Sequence, residues 1–135
     1  MKHRDLVIGV DCSTTASKAV VWDNHGNALA IGRHGYEIQH VRSGWVEQNA
    51  SDWWRATSAA IGDVVRQVDP SRIAAIAVTH QRETFVCLDH SGNPVRPALT
   101  WMDVRATEEV ASHGTPRVHK LTGKPPNPTP AWYKL

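Results

Sequence analysis

The sequence is poor in features that would tie it to a membrane, a metal or an oxidising compartment. Its two cysteines, Cys12 and Cys87, form no Cys-x-x-Cys pair, and its eight histidines show no zinc-site spacing. The apolar run after the charged start stops at Asp11, too early for a secretory signal, and no run approaches a membrane span. Internal repeats and a Walker A loop are also absent. These deficits favour a reduced, cytoplasmic protein with no membrane partner.

The sequence also lacks a large excess of either positive or negative charge. Fifteen Lys and Arg residues face 13 Asp and Glu residues, which gives a net charge of +2 and a pI of about 8.7. Because no basic run is present, we expect no nucleic-acid partner. A hydrophobic content of 41% and a charged content of 21% are typical of a globular protein. The length of 135 residues fits one domain or part of one.

The chain is organised around its first apolar segments. Leu6 to Val10 and Lys18 to Trp22 are apolar runs separated by small and hydroxyl residues, which predicts strand, tight turn, strand. An aspartate at the end of a buried strand, here Asp11, suits a hydrated magnesium ion that also takes phosphate oxygens. Hydroxyls, turn N–H groups and Lys18 can hold phosphates. The alternative is an ordinary hairpin with a polar tip.

The remaining pattern alternates strands and helices. A helix is expected from Asn49–Ser51 to Asp69-Pro70, with an apolar side that includes Trp54. The next apolar run resembles a central parallel strand covered on both faces. The predicted strands after the hairpin are 28–36, 73–79, 85–88 and a short extended piece at 98–101. A second helix is predicted over 103–112, followed by a short turn at 118–121.

The last residues predict a loop and then a helix start. The proline-rich stretch 124–130 cannot be helical inside. Ala131 to Leu135 resembles the opening of an amphipathic helix with Pro130 at its start. Five residues are far below what an isolated helix needs, so we expect the natural chain to continue.

Four stretches, in order, resemble one known family. They are Asp11-Cys12-Ser13-Thr14-Thr15-Ala16-Ser17-Lys18-Ala19, Gly44-Trp45-Val46-Glu47-Gln48-Asn49, Ile76-Ala77-Val78-Thr79-His80-Gln81-Arg82-Glu83-Thr84 and Leu99-Thr100-Trp101-Met102-Asp103-Val104-Arg105. With them, essentially the whole chain resembles the N-terminal part of the FGGY carbohydrate kinases, the group that contains glycerol kinases and xylulokinases.

The resemblance implies an α/β fold of the actin-like ATPase, ribonuclease H-like type, with a mixed five-stranded sheet and helices on both faces. Residues 1–135 would form the N-terminal part of the first lobe, which binds substrate and phosphate, and the C-terminal lobe would be absent. The implied cofactors are ATP and Mg²⁺. The general-base aspartate is expected downstream of Leu135. This chain would then hold no catalytic residue and be inactive alone.

The resemblance also assigns candidate binding residues. Those for ATP and phosphate are Asp11, Ser13, Thr14, Thr15 and Lys18, with Asp11 also linked to the metal. Those for the sugar or polyol are Gln81, Arg82, Glu83, Trp101 and Asp103. Each has a structural alternative: the threonines could bond their own turn, Arg82 and Glu83 could form a surface ion pair, Trp101 could be a core aromatic, and Asp103 could cap the following helix.

The implied substrate depends on one departure from the glycerol kinase pattern. Where those enzymes carry a substrate-contacting tyrosine after the loop Asp-Pro, this chain has Asn127-Pro128-Thr129. A threonine opens the pocket, which favours a pentulose such as xylulose, whereas the Gln-Arg-Glu-Thr segment favours glycerol. Two alternatives from other classes are a non-catalytic actin-like nucleotide-binding or assembly module and a metal nuclease on the same fold. We also expect a homo-oligomer, formed through an unpaired sheet edge.

Overall fold

The computed structural model describes residues 4–135, which form two compact units. Unit 1 comprises the residues up to Glu37 together with Ser51–Gln81, and unit 2 comprises Ile38–Ala50 and Arg82–Leu135. Of the helices in the described part of the chain, none combines the length and apolarity needed to cross a bilayer. Cys12 and Cys87 are free thiols.

Unit 1 is a mixed sheet of four strands, in the order β3-β2-β1-β6. β1 (Leu6–Cys12), β2 (Ala16–Trp22) and β3 (Ala28–Gly35) form an antiparallel meander. β6 (Ile73–His80) pairs with β1 in parallel after the helix α1 (Ala50–Val65). The predicted hairpin, third strand, first helix and parallel strand are all present.

The core of unit 1 lies between the sheet and α1. Alternate residues of β1 are buried with residues of β2, β3 and α1, because successive strand side chains point to opposite faces. The buried cluster consists of Leu6, Ile8, Val10, Ala19, Val21, Ala30, Ala60 and Val64. Gly32 allows β3 to lie close to α1, since a Cβ at this position would be 2.5 Å from the Ala60 carbonyl oxygen. The hydroxyls of Ser17 and Thr57 are 2.7 Å apart and link β2 to α1.

Two expectations about unit 1 are wrong. Trp54 is 74% exposed, because α1 packs through Ala56, Ala60 and Val64 instead. β6 is not covered on both faces: it lies at the sheet edge, and every residue after Ile73 is exposed. Within the described residues of unit 1, α1 covers one face of four strands, so the fifth strand and the second helical layer implied by the resemblance are not among them.

Unit 2 is built on a three-stranded antiparallel sheet in the order β4-β5-β7. Its strands are β4 (Gln39–Arg42), β5 (Trp45–Gln48) and β7 (Ala98–Leu99). The β4–β5 hairpin lies in a segment for which the sequence pattern predicts no strand. Gly44 supplies the positive φ of 76° that its turn requires. The chain continues through α2 (Thr107–His113) and α3 (Pro116–Thr122) to a short 3₁₀ turn, Ala131–Tyr133.

Three sequence boundaries in unit 2 need correction. The strand expected at 85–88 is reduced to isolated bridges that pair Phe85 with Leu99 and Leu88 with Pro94. The helix expected from Asp103 begins at Thr107, because the Asp103 carboxylate is bonded elsewhere. The last residues form a 3₁₀ turn at Ala131–Tyr133. The loop at 124–130 is free of regular structure, as expected.

Candidate functional site

The candidate phosphate site is the β1–β2 turn of unit 1. Strand pairing places Asp11 opposite Lys18 on β2 and opposite Thr79 on β6, so the three side chains share one face. Asp11 and Lys18 are both exposed. They line a cavity of about 470 Å³ that extends along the sheet past Gly9 to Trp22. The sequence therefore predicted residues that the fold does bring together.

Hydrogen bonds shape the turn itself. The Ser13 hydroxyl donates to Asp11 Oδ2, and the Ser13 N–H donates to the Ala16 carbonyl at 3.0 Å. The Thr15 carbonyl accepts the Tyr36 N–H at 3.1 Å. The side chain of Thr15 is exposed and that of Thr14 is half-buried. The turn is therefore fixed through its backbone, which leaves an exposed carboxylate and an exposed ammonium beside it.

Tyr36 is a residue of this site that the sequence did not suggest. Its hydroxyl donates to the Ser13 carbonyl and lies 3.3 Å from the Ala16 carbonyl oxygen and 3.6 Å from Cys12 Sγ. Burial raises the pKa of this phenol, with further contributions from Cys12, so it remains a donor at neutral pH. No local sequence pattern predicts the contact between Tyr36 and Ser13, because the two residues are more than twenty positions apart.

The turn meets the chemical requirement for Mg²⁺ bound together with phosphates. Mg²⁺ prefers one or two carboxylates plus phosphate oxygens and waters rather than a cage of protein ligands. Asp11 offers one exposed carboxylate. In residues 4–135 there is no cluster of three or more His, Cys, Asp or Glu side chains arranged to hold a metal. The donor set thus suits a phosphate-linked magnesium ion.

The acceptor candidates divide between the two units. Gln81 belongs to unit 1, where its N–H donates to the Cys12 carbonyl at 3.2 Å and extends the β1–β6 pairing. Arg82 and Glu83 begin the second segment of unit 2. Arg82 is exposed. Glu83 is bonded to the loop 124–130 and to the turn that follows it: its Oε2 accepts the Ala131 N–H at 2.8 Å, and its Oε1 pairs with the Lys124 ammonium.

Trp101 and Asp103 lie in very different surroundings. Trp101 is 42% exposed, and its backbone N–H donates to the Thr84 hydroxyl at 3.0 Å. Asp103 is completely buried. Its carboxylate accepts the Val46 N–H at 2.8 Å and the Arg105 guanidinium at 2.7 and 2.9 Å. Trp101 is placed as a surface that can contact a ligand, whereas the oxygens of Asp103 are enclosed.

Asp103 belongs to an ionic cluster that is largely buried except for Arg96. Arg105 also pairs with Glu47 at 2.7 Å, and Glu47 pairs with Arg96 at 3.3 Å. The Arg105 guanidinium lies 3.7 Å from the Trp45 ring centroid. Burial opposes ionisation of Asp103, but the hydrogen bonds from Arg105 and Val46 outweigh it and lower its pKa. The cluster holds β5 to the segment before α2, and Asp103 bonds the Arg105 N–H at 3.0 Å instead of capping the helix.

The fold places this chain in the class of actin-like ATPase proteins, because its structural relatives have that fold. Residues 6–135 match the model of the FGGY family of carbohydrate kinases, N-terminal domain, and the chain belongs to that family. The expected family and fold are therefore confirmed.

The individual relatives cover most of the chain. A glycerol kinase of Thermococcus onnurineus is 35% identical over 107 residues, which is 78% of this chain and 22% of that protein. Crystal structures of a gluconate kinase and a ligand-bound xylulose kinase from Lactobacillus acidophilus each superpose with a TM-score of 0.89 and 28% identity, over 96% of this chain and 27% of theirs. The chain thus spans roughly a quarter of the length of these relatives.

Proposed function

We propose that the protein carrying this chain transfers the γ-phosphoryl group of ATP to a hydroxyl of a sugar or polyol. The observation that carries the proposal is the match of residues 6–135 to the carbohydrate kinase family. It is supported by an exposed carboxylate and ammonium side by side at the β1–β2 turn, in Asp11 and Lys18. Such enzymes act mainly by positioning and by electrostatic stabilisation.

We assign the phosphates to the β1–β2 turn. Ser13, Thr14 and Thr15 would supply hydroxyl and N–H donors, and Lys18 a positive charge. Asp11 would hold Mg²⁺, which supplies charge neutralisation of the transferred phosphoryl group when bound. We infer that the general base and the second lobe would be supplied from outside residues 1–135, so that this segment alone would bind without catalysing transfer. The free thiols Cys12 and Cys87 are in keeping with a cytoplasmic setting.

We assign the acceptor to Gln81, Arg82, Glu83 and Trp101. Arg82 and Glu83 together donate and accept hydrogen bonds, as sugar hydroxyls require, and the half-exposed Trp101 ring can pack on carbon-bound hydrogens. The enclosed carboxylate of Asp103 suits a different task, which is to hold Arg105 and β5 in place. We therefore assign Asp103 a structural role that is neither acceptor binding nor the expected helix cap.

A pentulose such as xylulose is our favoured acceptor. Thr129 is half-buried, and its backbone N–H donates to Asn127 Oδ1 at 3.0 Å. Because this residue is a threonine, a small side chain occupies the position where the glycerol kinase pattern has an aromatic one. The likeness to the crystal structure of a xylulose kinase supports this choice. Glycerol is the second candidate, because glycerol kinases share 35% identity with the chain.

A substrate panel tests the proposal. The intact protein would be given ATP and Mg²⁺ with xylulose, ribulose, gluconate and glycerol, and sugar phosphate would be measured beside ADP. We expect the highest kcat/KM with a pentulose. Preference for glycerol would overturn the choice of acceptor. ATP binding with no phosphorylation of any acceptor would overturn the enzyme and favour the nucleotide-binding module.

Removing the Tyr36 hydroxyl should weaken nucleotide binding. Without it, the Ser13 carbonyl loses its donor and the turn gains freedom. We expect Tyr36→Phe to raise the KM for ATP about threefold to tenfold, the range of one buried hydrogen bond, with the acceptor KM unchanged. Tyr133→Phe is the control, because the buried Tyr133 hydroxyl has no hydrogen-bond partner among the described residues. Equal KM values for ATP in both variants would contradict the assignment.

A further inference from the structure

Glu83 has an unusual backbone for its residue type. Its φ of 62° makes it the only residue other than glycine with a positive φ in the part of the chain that the structure describes. A side chain with a Cβ is strained in the left-handed region. Such strain persists only where the surrounding structure fixes the residue, and it concentrates at binding sites.

Two contacts, both within unit 2, fix the Glu83 carboxylate. Oε2 accepts the Ala131 N–H at 2.8 Å, and Oε1 pairs with the Lys124 ammonium. Lys124 is the first residue of the proline-rich stretch 124–130, and Ala131 directly follows its last residue. One carboxylate therefore bonds to the chain at both ends of the stretch. The Lys124 ammonium also lies 5.4 Å from the Trp132 ring centroid, which further confines it.

These contacts leave part of the carboxylate available. A carboxylate has about four lone-pair positions, and the described contacts occupy one on each oxygen. The Glu83 side chain is 18% exposed and that of Lys124 is 42% exposed. A ligand hydroxyl can therefore reach Glu83 while Lys124 stays in place. The ion pair does not have to break for Glu83 to bind.

We propose that Lys124 is a positioning residue for the acceptor: it holds the Glu83 carboxylate in the one orientation that presents its free lone pairs to the acceptor hydroxyls. This inference rests on the proposed function, which assigns Glu83 to the acceptor. Without the ammonium, Oε1 loses its partner and the Glu83 side chain gains rotamers. We expect the cost to fall on acceptor binding, because the Lys124 ammonium pairs with Glu83, the proposed acceptor ligand.

The test is steady-state kinetics of the intact protein with Lys124→Met. We expect the acceptor KM to rise about threefold to fivefold, the range of a partly exposed ion pair, with kcat and the ATP KM within twofold of wild type. Lys124→Arg should restore most of the loss, because it keeps the charge. Lys120→Met, at an exposed lysine of α3, is the matched control and should change nothing.

Salt gives a second readout that a purely structural role would not move. The acceptor KM of the wild type should rise with NaCl as the ion pair is screened, and that of Lys124→Met should not. An unchanged acceptor KM in Lys124→Met overturns the inference. A Lys124→Met protein that is less stable, but whose acceptor KM depends on NaCl as that of the wild type does, overturns it as well. If the wild type phosphorylates no acceptor, the proposed function itself has failed, which is a separate result.

Discussion

Replacing Asp11 with asparagine should lower kcat/KM of the intact protein about 10²-fold or more, the usual cost of removing a charge-stabilising group from a transfer site. The amide keeps the size of the side chain and still accepts the Ser13 hydroxyl, a bond now made to Asp11 Oδ2. It loses the negative charge that Mg²⁺ needs. The effect should therefore appear in catalysis, while the free energy of unfolding changes by less than about 1 kcal/mol.

A partly exposed aspartate in the first turn of α1 provides the control for this variant. Asp52 pairs with Arg55 at 2.9 Å on α1, and a surface pair of this kind is worth less than about 1 kcal/mol. Asp52→Asn should keep wild-type kinetics. Raising the Mg²⁺ concentration should partly rescue Asp11→Asn and leave Asp52→Asn unaffected. An Asp11→Asn protein with kinetics near those of wild type would remove Asp11 from the metal and phosphate site.

Asparagine at position 103 should have the largest effect on stability, a loss of about 3–5 kcal/mol in the free energy of unfolding. Asp103 is completely buried and compensates Arg105, which is itself 11% exposed. In either orientation the asparagine NH₂ group would face two donors, which are the Val46 N–H and the guanidinium at the Oδ2 position, or the Arg105 N–H and the guanidinium at the Oδ1 position. Urea unfolding followed by circular dichroism measures the loss. Glu108→Gln, at an exposed carboxylate on α2, should stay within about 0.5 kcal/mol of wild type.

The same residue sets a pH dependence whose sign follows from its pKa. Hydrogen bonds from Arg105 and Val46 outweigh burial and keep the pKa of folded Asp103 below the ordinary value of 3.8. Its contribution to stability is then complete above the unfolded pKa and is lost as the pH falls toward the folded one. The stability difference between wild type and Asp103→Asn should shrink below about pH 4. Parallel curves down to pH 3 would show that Asp103 does not carry the difference.

Local pattern was sufficient to predict the strands that carry the proposed phosphate site. The apolar runs on either side of Asp11 and Lys18 predicted the hairpin, and strand register then placed the two side chains opposite each other. The continuous apolar run of β6 predicted a strand but not its surroundings, since Ile76 and Val78 are 51% and 62% exposed. An apolar run indicates that its residues prefer burial, but it does not show which other elements pack against them.

The contacts that sequence reasoning missed join distant residues. Val46 and Asp103 are 57 positions apart, and Glu83 and Ala131 are 48 positions apart. No periodicity or spacing rule links such pairs. Helix α2 starts at Thr107 rather than Asp103 for the same reason, because the carboxylate that could cap it bonds β5 and Arg105 instead. Glu83 is a candidate acceptor ligand because of the family resemblance, but its attachment to Lys124 is visible only in the fold.

The most direct measurement is a crystal structure of the intact protein with ADP and Mg²⁺. We expect the β-phosphate oxygens within hydrogen-bond distance of the turn N–H groups between Ser13 and Thr15, with Lys18 beside them and the ion linked to Asp11. A nucleotide whose phosphates lie elsewhere, with the β1–β2 turn unchanged and touched by solvent alone, would contradict the account.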